Sequence, residues 1–162
     1  MTMTPTMPDS ATDVAPRFEI VPAKASALPY VLSTWGRSLE SKLEGKPKPG
    51  FLHDFAIIQA NIIKRSQVLC AMAGERIAAF IVFQPPIMGR AISPGDTDAT
   101  IPGVLHWIST RKEYRDRGAA SALMIAAGIA GKPLITSWTS DLKHLRLADA
   151  PYRPFWLTTK GA

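Results

Sequence analysis

The stretch that decides the fold is RKEYRDRGAASALM, which runs from Arg111 to Met124. It begins with charges of both signs and turns, at Gly118, into a run of small and apolar residues that is typical of a helix. The residues just before it, VLHWIST at 104–110, predict a strand because they are rich in β-branched and aromatic side chains. The sequence therefore predicts a strand, a short charged turn and a helix that begins directly after a glycine.

That junction has the chemistry of an anion site. The first N–H groups of a helix are free, and the helix dipole places positive charge beside them. Gly118 lets an anion approach the backbone, the two alanines after it keep the first turn free of bulk, and Arg115 and Arg117 add charge. A P-loop would need Gly-Lys-Ser/Thr, and the dinucleotide fingerprint would need two further glycines. The turn is therefore predicted to hold an anion in another way, and a mixed-charge loop without a ligand is the alternative.

The rest of the chain surrounds this junction with alternating elements. The mixed order of strands and helices predicts an α/β sheet. The predicted order is strand, two helices, three strands, helix, strand, helix and strand. The elements are a strand at 17–21, helices from Ala25 and Phe51, a hairpin about Gly74-Glu75, an irregular stretch from Gln84 to Gly103, the strand at 104–110, a helix from Ala119 to Ile129, a strand at 134–138, a short helix at 141–148 and a last strand at 153–159.

Composition narrows the class of protein. The 162 residues, 46% of them hydrophobic, suit one domain at 17–162, and no apolar run is long enough to span a bilayer. The lone Cys70 excludes an internal disulfide, which predicts a cytoplasmic protein, and the histidines lack metal-ligand spacing. The net charge of +6 suits an anionic ligand or is simply that of a mildly basic domain. The four tryptophans mostly fall on apolar faces, which argues against a nucleic-acid partner.

Residues 1–16 predict a flexible arm, because they show no apolar periodicity and hold no Lys or Arg. Such an arm is a candidate for contacts with protein partners. We expect its deletion to leave the Tm nearly unchanged, since it offers no apolar face to bury. A large drop in Tm on thermal denaturation of the shortened chain would show instead that the arm docks on the domain.

The opening stretch resembles a known family. Arg115-x-x-Gly118-x-Ala120 matches the Gln/Arg-x-x-Gly-x-Gly/Ala motif of the GCN5-related N-acetyltransferases (GNAT), and EYRDRGAASALM is similar to their usual EYRGRGIGSALL. The order of elements over roughly residues 17–158 is also similar to theirs. The resemblance implies a single-domain GNAT fold, with a mixed, mostly antiparallel sheet flanked by helices. It also implies an enzyme that transfers an acetyl group from acetyl-CoA to an amine.

The resemblance also implies where acetyl-CoA binds. Its pyrophosphate would lie on backbone amides of the turn, and its pantetheine arm would pair with the end of the strand. The implied cofactor residues are Ile108, Ser109, Thr110, Arg115, Asp116, Arg117, Gly118, Ala119, Ala120 and Ser121. In such enzymes positioning does most of the catalysis, with a backbone N–H polarising the carbonyl and a base accepting the proton of the amine.

Two residues are candidates for proton transfer. His106 is the one titratable side chain within VLHWIST, and imidazole titrates near neutrality; a histidine held inside the sheet is the alternative. Many family members carry a tyrosine late in the helix after the next strand, where this chain has Ala148. Tyr152 lies four residues on and is a candidate to replace that tyrosine, or else a packed aromatic.

A second resemblance gives a different class of function. STWGRSLESK and IIKRSQVLCAMA look like stretches of small GNAT-like proteins encoded in bacteriophage genomes. It implies a catalytically silent structural or accessory protein, for instance a virion component, that keeps the fold without the chemistry.

Overall fold

The computed structural model describes residues 17–43, 45, 48–88, 100–132 and 134–137. The arm at 1–16, the helix at 141–148 and the last strand at 153–159 were predicted from the sequence and lie outside the described residues. Tyr152 and Ala148 lie outside them as well.

The described elements follow the predicted order. They are β1 (Glu19–Pro22), a 3-10 turn (Ala25–Ala27), α1 (Leu28–Lys42), α2 (Phe51–Ile63), β2 (Gln67–Ala73), β3 (Arg76–Gln84), β4 (Ile87–Met88), β5 (Thr100–Ile101), β6 (Gly103–Thr110), a second 3-10 turn (Lys112–Tyr114), α3 (Ala119–Ala126) and β7 (Leu134–Thr136).

The main sheet has five strands in the order β1-β2-β3-β6-β7. Its neighbours are antiparallel except for β6 and β7, which run parallel. This confirms the mixed, mostly antiparallel α/β fold. The parallel pair is the last one, so the strand that leads into the predicted anion site borders β7 on its outer side.

The core lies on both faces of this sheet. β3 supplies both faces because its side chains alternate: Ala79, Ile81 and Phe83 pack on the α3 side, while Phe80 and Val82 pack on the side of α1 and α2. A strand buried on both faces needs a continuous apolar run, and AAFIVF supplies it.

Helix α1 presents the apolar stripe that its sequence predicts. Val31, Trp35 and Leu39 are buried at helical spacing, and the Trp35 ring stacks on Trp107 of β6 at a centroid distance of 6.3 Å. Phe55 of α2 meets the same Trp35 ring edge-on at 5.5 Å. The three aromatic rings therefore hold both helices over β6.

Two predicted bounds are wrong, for local reasons. The irregular stretch from Gln84 to Gly103 contains a two-stranded pairing, with Ile87 opposite Ile101 and Met88 opposite Thr100. Helix α3 ends at Ala126, not at Ile129, because Gly128 adopts a left-handed conformation with φ 69°. The N–H groups of Gly128 and Ile129 then turn back to the carbonyls of Ile125 and Met124, which is how a left-handed glycine ends a helix.

Gln59 is a buried residue that the apolar pattern of α2 did not predict. Its amide Nε2 donates to the backbone oxygen of Leu32 in α1 at 2.9 Å, which satisfies the buried polar group. None of the helices within the described ranges is both long and apolar enough to cross a membrane.

Candidate cofactor-binding site

A β-bulge interrupts β6 at His106. On the β3 side, Trp107 pairs with Val82 and Leu105 pairs with Phe83, so His106 is the extra residue between them. A bulge bends its strand and increases the local twist. The bend therefore lies in the middle of β6, four residues before the strand ends.

Beyond the bulge, pairing along the outer edge of β6 ends within the described residues. Pairing with β7 runs from Gly103 opposite Leu134 to Leu105 opposite Thr136, and one more backbone bond joins Ser137 N–H to Leu105 O at 3.1 Å. Past that point, no described residue pairs with this edge of β6. Within the described structure, the backbone from Ile108 to Thr110 therefore has N–H and C=O groups on this edge that an extended ligand can pair with.

The turn after β6 has an unusual backbone. A 3-10 turn at Lys112–Tyr114 follows the strand, Arg115 is extended, and then Asp116 and Gly118 take positive φ values of 58° and 83°. Asp116 is the one described non-glycine residue with positive φ. The left-handed conformation at Gly118 turns the chain directly into α3, which explains the glycine physically.

The start of α3 offers donors and space. The first helical bond runs from Ala122 N–H to Gly118 O at 2.9 Å, and no described side chain caps the helix. The amides before Ala122 are therefore free in the sense that every helix start leaves them free. A Cβ placed on Gly118 would meet nothing within 4 Å, so the mouth of this turn is open.

The predicted cofactor residues divide by exposure. Ala119 is buried against the sheet and anchors the helix, and Ala120 is half-buried. Those facing solvent are Arg115, Asp116, Arg117, Gly118 and Ser121, while Ile108, Ser109 and Thr110 on the strand are half-buried. All ten therefore lie along one stretch of the fold from the end of β6 to the first turn of α3, with Ala119 facing the core.

The surroundings of this surface are cationic. The Lys42 ammonium lies 5.8 Å from the centre of the Trp107 ring, and Arg115 is close enough for its charge to be felt there. The pKa of Lys42 lies below its ordinary value, first because packing desolvates the ammonium and then because the Arg115 guanidinium repels it. An anion between these groups would relieve that repulsion.

His106 lies at the bulge and is fully buried. Its Nδ1 is 2.9 Å from the Ser137 hydroxyl oxygen, across the point where β6 and β7 part. Burial lowers the pKa of His106 from 6.5 to about 4, because the charged imidazolium would lose its hydration. The ring is therefore neutral near pH 7. This environment favours the histidine held inside the sheet, and the role of base stays a prediction.

Sequence reasoning missed two partners of the site. Ser137 gave no signal, because its link to His106 joins residues on different strands. Tyr30 of α1 receives a hydrogen bond from Arg111 Nε at 2.8 Å, and the guanidinium lies 4.9 Å from the ring centre. Arg111 stands directly after the strand, and its N–H also donates to Ala78 O at 2.8 Å. These contacts tie the end of β6 to α1 and so support the start of the turn.

Comparisons with known proteins identify the fold. No protein-family model and no curated protein sequence matches the chain. Among solved structures, it is similar to a histone acetyltransferase HPA2 and related acetyltransferase from Corynebacterium glutamicum, with a TM-score of 0.55, 17% identity and 82% of each chain covered.

Two further solved structures are similar to this chain. A ribosomal-protein-alanine N-acetyltransferase from Brucella melitensis aligns with a TM-score of 0.52 and 16% identity over 84% of this chain and 91% of its own. A Pyrococcus furiosus protein, whose assignment as an acetyl transferase is itself provisional, aligns with a TM-score of 0.60 and 11% identity over 84% and 94%. The described part of the chain has the fold of the GCN5-related N-acetyltransferases.

Proposed function

We propose that the protein binds acetyl-CoA and transfers the acetyl group to an amine. One observation carries the proposal: the end of β6, whose outer edge no described strand pairs with beyond Leu105, is joined by the turn at 111–117 to the start of α3, which no described side chain caps. An extended arm that ends in a phosphate group needs this combination of features, a free strand edge followed by free helix amides.

The turn suits a pyrophosphate on three counts. The amides from Asp116 to Ala120 lie in a left-handed turn and a helix start, an arrangement that can gather N–H groups toward one anion, whereas the Arg115 N–H already donates to Lys112 O at 3.3 Å. The absence of a Cβ at Gly118 leaves room for it. Arg115 and Arg117 are exposed beside it and add positive charge, which steers an anionic ligand to the turn.

The pantetheine arm would pair with the backbone at Ile108, Ser109 and Thr110. This places the thioester toward the bulge, beside Trp107. Catalysis then needs the amine nitrogen to attack the thioester carbonyl carbon, the oxygen to take up the negative charge, and the C–S bond to break as the tetrahedral intermediate collapses. A backbone N–H of β6 stabilises the developing oxyanion. The amine gives up one proton to a base, and the departing thiolate takes one up.

The experiment that tests this function has two stages. Acetyl-CoA is first titrated into the protein by calorimetry, and free thiol is then followed over a panel of amines that includes amino acids, polyamines, peptide N-termini and aminoglycosides. Binding followed by amine-dependent release of thiol supports the proposal. Absence of binding would contradict it and would leave the alternative of a catalytically silent structural or accessory protein.

The candidates for proton transfer have their own test. If His106 is the base, His106→Gln should lower turnover by about two to four orders of magnitude and leave the affinity for acetyl-CoA intact, because glutamine cannot titrate. If Tyr152 replaces the missing tyrosine, Tyr152→Phe should also lower turnover. Steady-state thiol release checks both variants. Should both react as fast as the parent, neither residue transfers the proton and positioning alone accounts for catalysis.

A further inference from the structure

A side-chain contact joins β6 and β7 at the point where their backbone pairing ends. The last backbone bond between the two strands joins Ser137 N–H to Leu105 O at 3.1 Å. One residue further, His106 Nδ1 and Ser137 Oγ lie 2.9 Å apart, and both residues are completely buried. This is the last described link between the strands before the edge of β6 opens.

The bulge makes this contact possible. As the extra residue between the two positions paired with β3, His106 is displaced from the regular ladder. Its ring can then meet the hydroxyl of a residue that follows the last paired position of β7. A buried hydrogen bond of this kind is held firmly, since breaking it would leave two polar groups without water.

We infer that the His106–Ser137 hydrogen bond is a positioning contact that sets the opening between β6 and β7, and through it the affinity for the pantetheine arm of acetyl-CoA. The inference rests on the proposed function, because that function places the arm along the open edge. The contact is expected to affect the binding of the pantetheine arm and not the binding of the phosphates. The phosphates would lie at the turn and at the start of α3, which this contact does not touch.

The neighbouring Thr136 supplies a matched control. It is as completely buried as Ser137, but its hydroxyl has no hydrogen-bond partner within the described structure. Thr136→Val removes a hydroxyl and keeps the shape, without breaking a bond. Ser137→Ala also removes a hydroxyl one residue away, but it leaves His106 Nδ1 without its partner. The two substitutions differ chiefly in that one contact.

Two ligands distinguish the contribution of the pantetheine arm to affinity from that of the phosphates. CoA carries both, whereas adenosine 3′-phosphate 5′-diphosphate carries the phosphates without pantetheine. By calorimetry well below the Tm, Ser137→Ala should weaken CoA about tenfold, which is the effect of one hydrogen bond, and change the affinity for the nucleotide less than about twofold. Thr136→Val should change neither affinity.

A double-mutant cycle tests whether a loss of affinity comes from this contact and not from a general loss of packing. Once His106→Leu has removed the imidazole, Ser137→Ala should cost no further affinity for CoA, because the shared contact is already gone. His106→Gln should keep most of the affinity, since its amide can still donate to or accept from the hydroxyl.

The outcomes are distinct. If Ser137→Ala lowers the Tm but leaves the affinity for CoA unchanged, the contact is merely structural and the inference is wrong. Equal loss for CoA and the nucleotide, or equal loss in Thr136→Val, also overturns it. If the parent binds neither ligand, the proposed function fails first, and that result cannot be confused with the others.

Discussion

Gly118→Glu is expected to lower the affinity for acetyl-CoA at least about 100-fold while the protein stays folded. The new carboxylate would occupy the open mouth of the turn and repel the pyrophosphate. Two or more charge-assisted hydrogen bonds would be lost, and each contributes about 1.5 kcal/mol or more. Calorimetric titration measures the loss, and circular dichroism checks the fold.

The backbone conformation needs a separate control. Gly118 has φ 83°, so any side chain there strains the turn, apart from its charge. Gly118→Ala carries this strain without the carboxylate and should lose less affinity. Gly131 also has positive φ, 66°, with open space around it, and it lies outside the site. Gly131→Glu should therefore bind acetyl-CoA like the parent. Unchanged affinity in Gly118→Glu would place the cofactor elsewhere.

The second large effect is on stability against pH. The pKa of His106 falls to about 4 in the folded protein, from an ordinary value of 6.5, because the ring is buried. Between these two values the unfolded chain binds more protons than the folded one, so the free energy of unfolding rises with pH. The contribution of His106 is complete above pH 6.5 and is lost as the pH falls toward 4. The two values imply a loss of about 3 kcal/mol over that window.

His106→Gln tests this expectation, because an amide does not titrate. The variant should be less stable than the parent at pH 7, owing to poorer packing, and should lose less stability as the pH falls to 4.5. Denaturation by urea at several pH values gives both curves, and their difference removes the effect of carboxylates common to both proteins. His53 lies exposed on α2, so His53→Gln should follow the parent. Parallel curves for the parent and His106→Gln would contradict the buried, neutral histidine.

The sequence predicted the elements whose signals are local. The sequence predicted a helix directly after Gly118, and the structure confirms that α3 begins at Ala119; the φ of 83° at Gly118 shows how the chain enters the helix. The apolar run of β3 and the helical stripe at Val31, Trp35 and Leu39 were equally predictable from the sequence. A strand buried on both faces is apolar at every position, whereas a helix buried on one stripe repeats its apolar residues with the period of the helix. The end of α3 was misplaced because Gly128 and Gly131 both offer a stop, and only backbone geometry chooses between them.

What the sequence determined by itself was therefore the order of the described elements and the start of α3 directly after Gly118, because both depend on residues close together in the chain. The role of the turn in binding a cofactor stays a prediction. The tertiary structure alone decided the state of His106, which follows from a bulge against β3, complete burial and a contact with Ser137, 31 residues further along. It also decided that, within the described residues, β7 pairs with β6 only as far as Leu105, because strand pairing depends on where β7 ends and not on the composition of β6. Imidazole has the same pKa in any exposed peptide, and it is the packed, low-dielectric surroundings that make this one neutral.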